Sequence, residues 1–293
     1  MPPVSTVPAT PIASEATLVT VAPTGAESDK SDVPALPVTL DELVDTARAC
    51  EAAGASMIHV HIRDDRAEPT LDPARLKDTV AALRDATDLV VQLSTGGSVH
   101  DPFEDRLAVL DAEPDACSLT CGTVNFGREV FLNPWPFMVE LYQRTQEREI
   151  VPEFELFDLG HVTAMKRLLH KYGPPYGGHV HCDLVMGVPG GMPGTAAALV
   201  AAVADLPAEA TWSATGIGRT SVTVAMAALA AGGHLRVGME DTLTYGPGEP
   251  VRDNAQLVER AAVLARLAGR PPISTDDARG MLRVRGRLRG GVA

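Results

Sequence analysis

The feature that most constrains the fold of this chain is a regular alternation of short β-branched runs with longer helix-like segments. Eight predicted strands cover residues 18–22, 57–62, 89–94, 116–120, 151–156, 179–185, 211–214 and 234–237. Strands that alternate with helices form parallel sheets, and eight such units close into a barrel. The sequence therefore predicts an α/β protein with a (β/α)8 TIM-barrel fold.

The predicted helices between these strands cover residues 40–53, 73–86, 101–110, 134–148, 161–172, 195–204, 220–231 and 254–268. The first has its own start and stop signals, a capping box of Thr39 and Glu42 and a terminating Gly54. No internal linker divides the chain. We expect one barrel catalytic domain over residues 18–293, preceded by a flexible, disordered tail over residues 1–17.

Composition limits the class of protein. Acidic residues number 38 against 25 basic residues, a formal charge of −13, which argues against a nucleic-acid partner. No apolar run is long enough to span a membrane, and residues 1–16 lack the basic and apolar regions of a signal peptide. Four scattered cysteines without C-x-x-C spacing indicate no disulfide framework. A cytoplasmic protein is expected.

Active sites in barrels of this type lie where the strands end, so polar residues there are the first candidates. His59 and His61 are two apart on one predicted strand and share a face. Glu240, after the last strand, is our choice for a third metal ligand. Two histidines and a carboxylate leave open coordination positions, which is typical of catalytic zinc. Alternatively, the histidine pair only makes hydrogen bonds at a strand end.

Other polar residues have two interpretations each. Asp241 is a candidate general base, and Arg236 would bind either a substrate carboxylate or Asp241 itself. A second pair, His179 and His181, is a rival for the metal, although we favour pocket lining or a buried hydrogen bond. The glycine-rich turn that ends at Gly97 suits either an anion or a tight turn.

Several segments, in order, resemble the β-keto acid cleavage enzymes. They include Thr24-Gly-Ala-Glu27, His59-Val-His-Ile-Arg-Asp64, Gln92-Leu-Ser-Thr-Gly-Gly97 and Gly233-His-Leu-Arg-Val-Gly-Met-Glu-Asp241. The resemblance runs from about residue 18 to residue 282. It implies a barrel with one Zn²⁺ per subunit, held by His59, His61 and Glu240. It also implies a reaction in which a β-keto acid and acetyl-CoA, as co-substrate, give acetoacetate and an acyl-CoA.

The resemblance also implies roles for single residues. Asp241, oriented by Arg236, would be the general base, and Glu155 would lie in the pocket. Ser94 and Glu155 would also be catalytic, with Ser94 hydrogen-bonding a reacting oxygen. Substrate-binding positions would be Glu27, Ser94, Gly97, Ser118 and Thr120. Relatives have a threonine and an asparagine where this chain has Ser118 and Thr120. Glu27 matches the position that receives a substrate ammonium, so we expect a β-keto acid with a cationic tail, or else a structural role for Glu27.

The resemblance further suggests a homo-oligomer. Coenzyme A requires a basic patch, for which the candidate is Arg279, Arg283, Arg285, Arg287 and Arg289; a solvated tail or an intersubunit contact is the alternative. Two other functions remain open. One is a metal-dependent aldolase or isomerase that needs no CoA, and the other is a barrel that binds a ligand without turnover.

Overall fold

The computed structural model describes residues 15–286. Eight parallel strands form a closed barrel: β1 Val19–Val21, β2 Met57–Val60, β3 Val90–Leu93, β4 Ala116–Thr120, β5 Val151–Leu156, β6 His181–Met186, β7 Thr211–Gly216 and β8 His234–Val237. β8 pairs with β1, with Thr20 opposite Arg236, and this pairing closes the barrel. The predicted (β/α)8 fold is confirmed.

Helices connect the strands and form the outer layer: α1 Leu40–Ala53, α2 Pro73–Ala86, α3 Phe103–Ala108, α4 Trp135–Glu147, α5 Leu159–Tyr172, α6 Ala196–Ala204, α7 Ser221–Ala230 and α8 Asn254–Leu267. The predicted capping box at Thr39 and Glu42 is present, and Gly54 ends α1 with a positive φ of 117°. The main core lies between the strands and these helices.

Some predicted boundaries were wrong by a few residues. β6 starts at His181 rather than at residue 179, because a turn at Tyr176–Gly178 delays its pairing with β7. α5 starts two residues early, where the Asp158 side chain accepts from the Gly160 N–H. The helix predicted over residues 101–110 is split into α3 and a 3-10 turn over Val109–Ala112.

A ninth helix, α9 Thr275–Leu282, was not predicted. Its Ala278 and Leu282 pack, with Val284, against residues at the amino ends of the strands, among them Leu18, Met57 and Val151. α9 therefore closes the barrel at the end opposite the candidate site.

Most of the predicted tail, residues 1–14, lies outside the described residues. Within the remainder, Thr17 is buried and its hydroxyl donates to the Arg270 carbonyl at 2.8 Å. The domain boundary at residue 18 stays a prediction. Within residues 15–286 no helix is long and apolar enough to cross a bilayer.

Candidate active site

The carboxyl ends of β8, β1 and β2 bring His59, His61 and Glu240 together. His59 lies in β2, His61 follows directly, and Glu240 follows β8. The Nε2 atoms of His59 and His61 lie 3.6 and 3.7 Å from Glu240 Oε1. Within the described part of the chain this is the one group of three or more potential ligands that converges in this way.

The donor set fits a zinc ion. A tetrahedral Zn²⁺ with bonds of about 2.0–2.2 Å holds neighbouring ligand atoms about 3.3–3.5 Å apart, close to the separations seen here. The other oxygen of Glu240, Oε2, is buried without a hydrogen-bond partner. Burial lowers the pKa of both imidazoles, so His59 and His61 are neutral, which is the form that binds a metal.

A residue that sequence reasoning missed orients the first of these ligands. The Nδ1–H of His59 donates to Gln92 Oε1, and Gln92 lies opposite His59 in the β2–β3 register. The bond leaves Nε2 of His59 free to face Glu240. A glutamine inside the otherwise apolar strand Val90–Leu93 is the sequence signal that could have identified this partner.

Arg236 is buried among four carboxylates. Its guanidinium donates to both oxygens of Asp241, at 3.0 and 3.4 Å, to Glu155 at 3.1 Å, and to Glu240. Asp183 Oδ2 lies 3.8 Å away. The predicted contact of Arg236 with Asp241 is therefore present, and the binding of a substrate carboxylate by Arg236 stays a prediction.

These contacts move the acidities of the cluster in different directions. Burial raises the pKa of Asp241 to about 7, against the opposing effect of Arg236. Burial also acts to raise the pKa of Glu240, but Arg236 and the two histidines outweigh it and lower that pKa to about 2. Burial raises the pKa of Asp183 well above its ordinary value. The adjacent carboxyls of Glu240 and Asp241 therefore differ in pKa, so Asp241 accepts a proton more readily than Glu240.

The site opens into a cavity of about 210 Å³. Its walls contain most of the predicted site residues: Glu27, His59, His61, Ser94, Gly97, Glu155, Arg236, Glu240 and Asp241. Glu27 is exposed at the rim, on a loop whose Gly25 and Ser28 carbonyls accept from Arg63 at 2.7 and 2.9 Å.

The structure does not bring the other two predicted substrate residues to the cavity wall. Ser118 is fully buried, and its Oγ accepts from the Thr95 N–H at 3.2 Å. The Thr120 hydroxyl donates to Glu155 Oε2 at 2.8 Å, so Thr120 supports a cavity residue from behind.

The second histidine pair also lies away from the cavity. Nε2 of His179 and Nδ1 of His181 both contact the Thr211 hydroxyl, at 2.7 and 2.8 Å. His181 Nε2 lies 3.2 Å from Glu153 inside the barrel. These two histidines make partly buried hydrogen bonds with Thr211, and among the described residues they belong to no converging group of three potential metal ligands.

Arg279, one member of the candidate coenzyme A patch, lies at the end of the barrel opposite the cavity. Arg279 belongs to α9, where it donates to the Leu89 carbonyl at 2.9 Å and to Asp115 at 3.1 Å. Arg287 and Arg289 lie outside the described residues. Arg279 therefore makes structural bonds beside the amino ends of the strands.

Fold and site together define a (β/α)8 barrel enzyme with a candidate two-histidine, one-glutamate metal centre at the carboxyl ends of its strands. The model of the β-keto acid cleavage enzyme family matches residues 16–284. The chain belongs to this family of enzymes, which confirms both the resemblance and the predicted enzyme class.

Curated relatives cover nearly the whole chain. The 3-keto-5-aminohexanoate cleavage enzyme of Acetoanaerobium sticklandii is 36% identical over 274 residues, 92% of this chain and 98% of the relative. The 3-oxoadipate:acetyl-CoA acetyltransferase of Cupriavidus necator is 34% identical over 90% of this chain and 94% of the relative. Among solved structures, apo ObcA is similar in fold, with a TM-score of 0.77 at 18% identity over 86% of this chain and 66% of that chain.

Proposed function

We propose that this chain is a zinc-dependent β-keto acid cleavage enzyme that uses acetyl-CoA. The observation that carries the proposal is the convergence of two neutral imidazoles and a carboxylate beside Asp241, which Arg236 holds in place. The family supports the chemistry, and curated relatives include the Cupriavidus necator acetyltransferase, whose name specifies acetyl-CoA.

In the proposed reaction, the acyl part of the β-keto acid and the acetyl group exchange partners. The bond between C2 and C3 of the keto acid breaks, and the thioester bond of acetyl-CoA breaks. A new carbon–carbon bond gives acetoacetate, and the released acyl group forms a thioester with coenzyme A. No oxidant or reductant is needed.

His59, His61 and Glu240 would hold the zinc ion, which when bound polarises a carbonyl oxygen of the substrate. Arg236 fixes both oxygens of Asp241, so Asp241 is positioned to accept a proton from the carbon that becomes the nucleophile. Ser94 lies on the cavity wall with its Oγ 3.2 Å from the Gly96 N–H, and its hydroxyl proton can be donated to a reacting oxygen.

The predicted cationic tail depends on Glu27. Glu27 lies at the cavity rim and has no hydrogen-bond or ion-pair partner among residues 15–286, so its carboxylate is available to an ammonium group. Replacing Glu27 with Gln tests this hypothesis, because an unchanged preference between amino and plain keto acids would remove it. The homo-oligomer and the cytoplasmic location also stay predictions.

The proposed function is tested by mixing the metal-analysed protein with acetyl-CoA and a panel of β-keto acids and measuring acetoacetate. We expect acetoacetate from at least one acid in the wild type and none from the His59→Ala variant. Turnover of a keto or hydroxy acid without acetyl-CoA, by the same zinc-loaded protein, would favour the aldolase or isomerase alternative instead.

A further inference from the structure

The cavity has two chemically different halves. The half formed by the ends of β8, β1 and β2 carries the candidate metal ligands and the charged residues Arg236, Asp241 and Glu27. The opposite half, over the ends of β3 to β7, contains Ser94, Gly96, Gly97 and Glu155 and, beside them, a cluster of apolar side chains. The members of this cluster are Val99, Phe126, Phe131, Phe157, Val185, Val188 and Ile217.

The side chains of the apolar half pack against one another. Phe126, Phe131 and Phe157 contact one another edge to face, with centroid separations of 6.2 to 6.5 Å. Phe131, Phe157 and Val185 are 4 to 7% exposed, so they form the floor of the cavity. Val185 lies in β6 two residues after Asp183, on the same inward face.

No charged group is available to a substrate in this half. Arg236 is the one arginine or lysine among the described residues that line the cavity, and its guanidinium bonds to carboxylates. Glu155 accepts from Arg236 and from the Thr120 hydroxyl. A carboxylate or ammonium group placed here would lose its hydration without gaining a partner.

We propose, resting on the proposed function and in place of the cationic tail expected from Glu27, that the β-keto acid of this enzyme has an uncharged hydrocarbon tail that lies on this apolar cluster. In the proposed function the keto and carboxylate groups bind at the polar half, so the tail would extend from them within the same small cavity. The nucleotide of coenzyme A is too large for about 210 Å³ and must extend outward past the rim. The deep apolar floor is thus left to the acyl tail.

Binding measured without acetyl-CoA separates this inference from the catalytic one. The probes are three six-carbon acids on the zinc-loaded protein, 3-oxohexanoate, 6-amino-3-oxohexanoate and 3-oxoadipate, together with the longer 3-oxooctanoate. Titration calorimetry is expected to give a Kd for 3-oxohexanoate that is at least about ten-fold lower than for either charged analogue. Each added methylene should lower Kd by about four-fold until the cavity is filled.

A matched pair of variants locates the effect. Val185→Thr keeps the side-chain shape but places a hydroxyl on the apolar floor, and it should raise the Kd of 3-oxohexanoate by about five-fold or more. Val130→Thr makes the same change at a valine that is 46% exposed and absent from the cavity wall, so it should change nothing. For both variants, the zinc content and the midpoint of thermal unfolding are measured and should equal those of the wild type.

The outcomes are distinct. If 6-amino-3-oxohexanoate or 3-oxoadipate binds as tightly as 3-oxohexanoate or more tightly, the proposal of an apolar tail is wrong. Tighter binding of 6-amino-3-oxohexanoate would support the Glu27 hypothesis in its place. A Kd that does not change with chain length would also overturn the apolar tail. Tight binding of 3-oxohexanoate without acetoacetate formation on adding acetyl-CoA would leave the tail assignment standing and overturn the proposed function.

Discussion

Gln92 is the residue on which the geometry of the first candidate ligand depends. Its side chain is fully buried and accepts the Nδ1–H of His59. Replacing Gln92 with Leu should weaken zinc binding by about 10- to 100-fold, because the imidazole loses the partner that fixes its tautomer and orientation. Competition with a chelator measures the affinity. Gln143→Leu, on the exposed side of α4, is the control. Unchanged affinity in Gln92→Leu would show that Gln92 does not orient a metal ligand.

Arg236 offsets the electrostatic repulsion among the buried carboxylates around it. Without it, Glu155, Asp183 and Asp241 would face one another inside the protein with no cation between them. We expect Arg236→Met to lower the free energy of unfolding by about 3–5 kcal/mol in urea denaturation. Arg252→Met removes an exposed ion pair with Asp253 and should leave the free energy of unfolding nearly unchanged. Similar losses in both variants would contradict this account of Arg236.

At the scale of secondary-structure elements, β8 and β1 approach each other closely where β8 ends, and Gly238 permits this approach because it has no side chain. A Cβ at position 238 would overlap the Ala22 backbone, and the Ala22 carbonyl also accepts from the Glu240 N–H at 3.1 Å. Gly238→Ala should therefore displace Glu240 and reduce both zinc affinity and stability, the latter by about 1–3 kcal/mol. Metal titration and thermal unfolding measure the two effects.

The control for Gly238 lies in α9. Gly280 has open space around its Cα, so Gly280→Ala should be neutral or stabilise the helix by up to about 1 kcal/mol. A Gly238→Ala variant that binds zinc as tightly as the wild type would show that Glu240 does not need the close approach of β8 to β1.

Asp115 joins three elements at the end of the barrel away from the site. It accepts from Arg84 of α2 at 2.7 Å, from the Val91 N–H of β3 at 3.0 Å, and from Arg279 of α9 at 3.1 Å. Burial acts to raise the pKa of Asp115, but these three donors outweigh it and hold the pKa below its ordinary value. The charged form is therefore stabilised by folding.

A carboxyl whose pKa is lowered by folding contributes stability above its unfolded pKa, about 3.9, and the contribution is lost as the pH falls through the folded pKa. Asp115→Asn should lower the free energy of unfolding at pH 7 by about 1–3 kcal/mol and flatten its decline below about pH 4. Asp111→Asn, at an exposed ion pair with Arg148, should do neither. Parallel pH curves for wild type and Asp115→Asn would contradict the assignment.

The alternation of strands and helices could be predicted from sequence because each element has a strong local pattern. The capping box at Thr39 and the stop at Gly54 are local signals of this kind. α9 could not be predicted as a barrel cap, since its position depends on strand ends that are far apart in the sequence. The delayed start of β6 depends on a turn whose glycines adopt positive φ angles.

The candidate site was predictable to the extent that a barrel brings strand ends together. His59, His61, Glu240 and Asp241 converge because their strands close the barrel. The cavity wall could not be predicted residue by residue. Ser118 and Thr120 lie in β4, yet their hydroxyls form hydrogen bonds within the protein. The apolar half of the cavity comes partly from a short hairpin of Val124–Phe126 with Glu129–Phe131.

At the scale of the whole molecule, the two ends of the barrel differ in role, and so do the two sides of the cavity. α9 and Asp115 stabilise the amino ends of the strands, and the carboxyl ends hold the cavity. In our proposal, the polar side of the cavity binds the reacting groups and the apolar side binds the tail. This division follows from strand order, because β8, β1 and β2 are neighbours in the closed sheet.

The most direct test of the account is the simultaneous measurement of acetoacetate and acyl-CoA from a β-keto acid and acetyl-CoA, before and after chelation of the metal. We expect the two products in equal amounts, their loss on chelation, and their recovery when zinc is returned to the wild type but not to His59→Ala. Undiminished formation of both products by the metal-free protein would contradict the account.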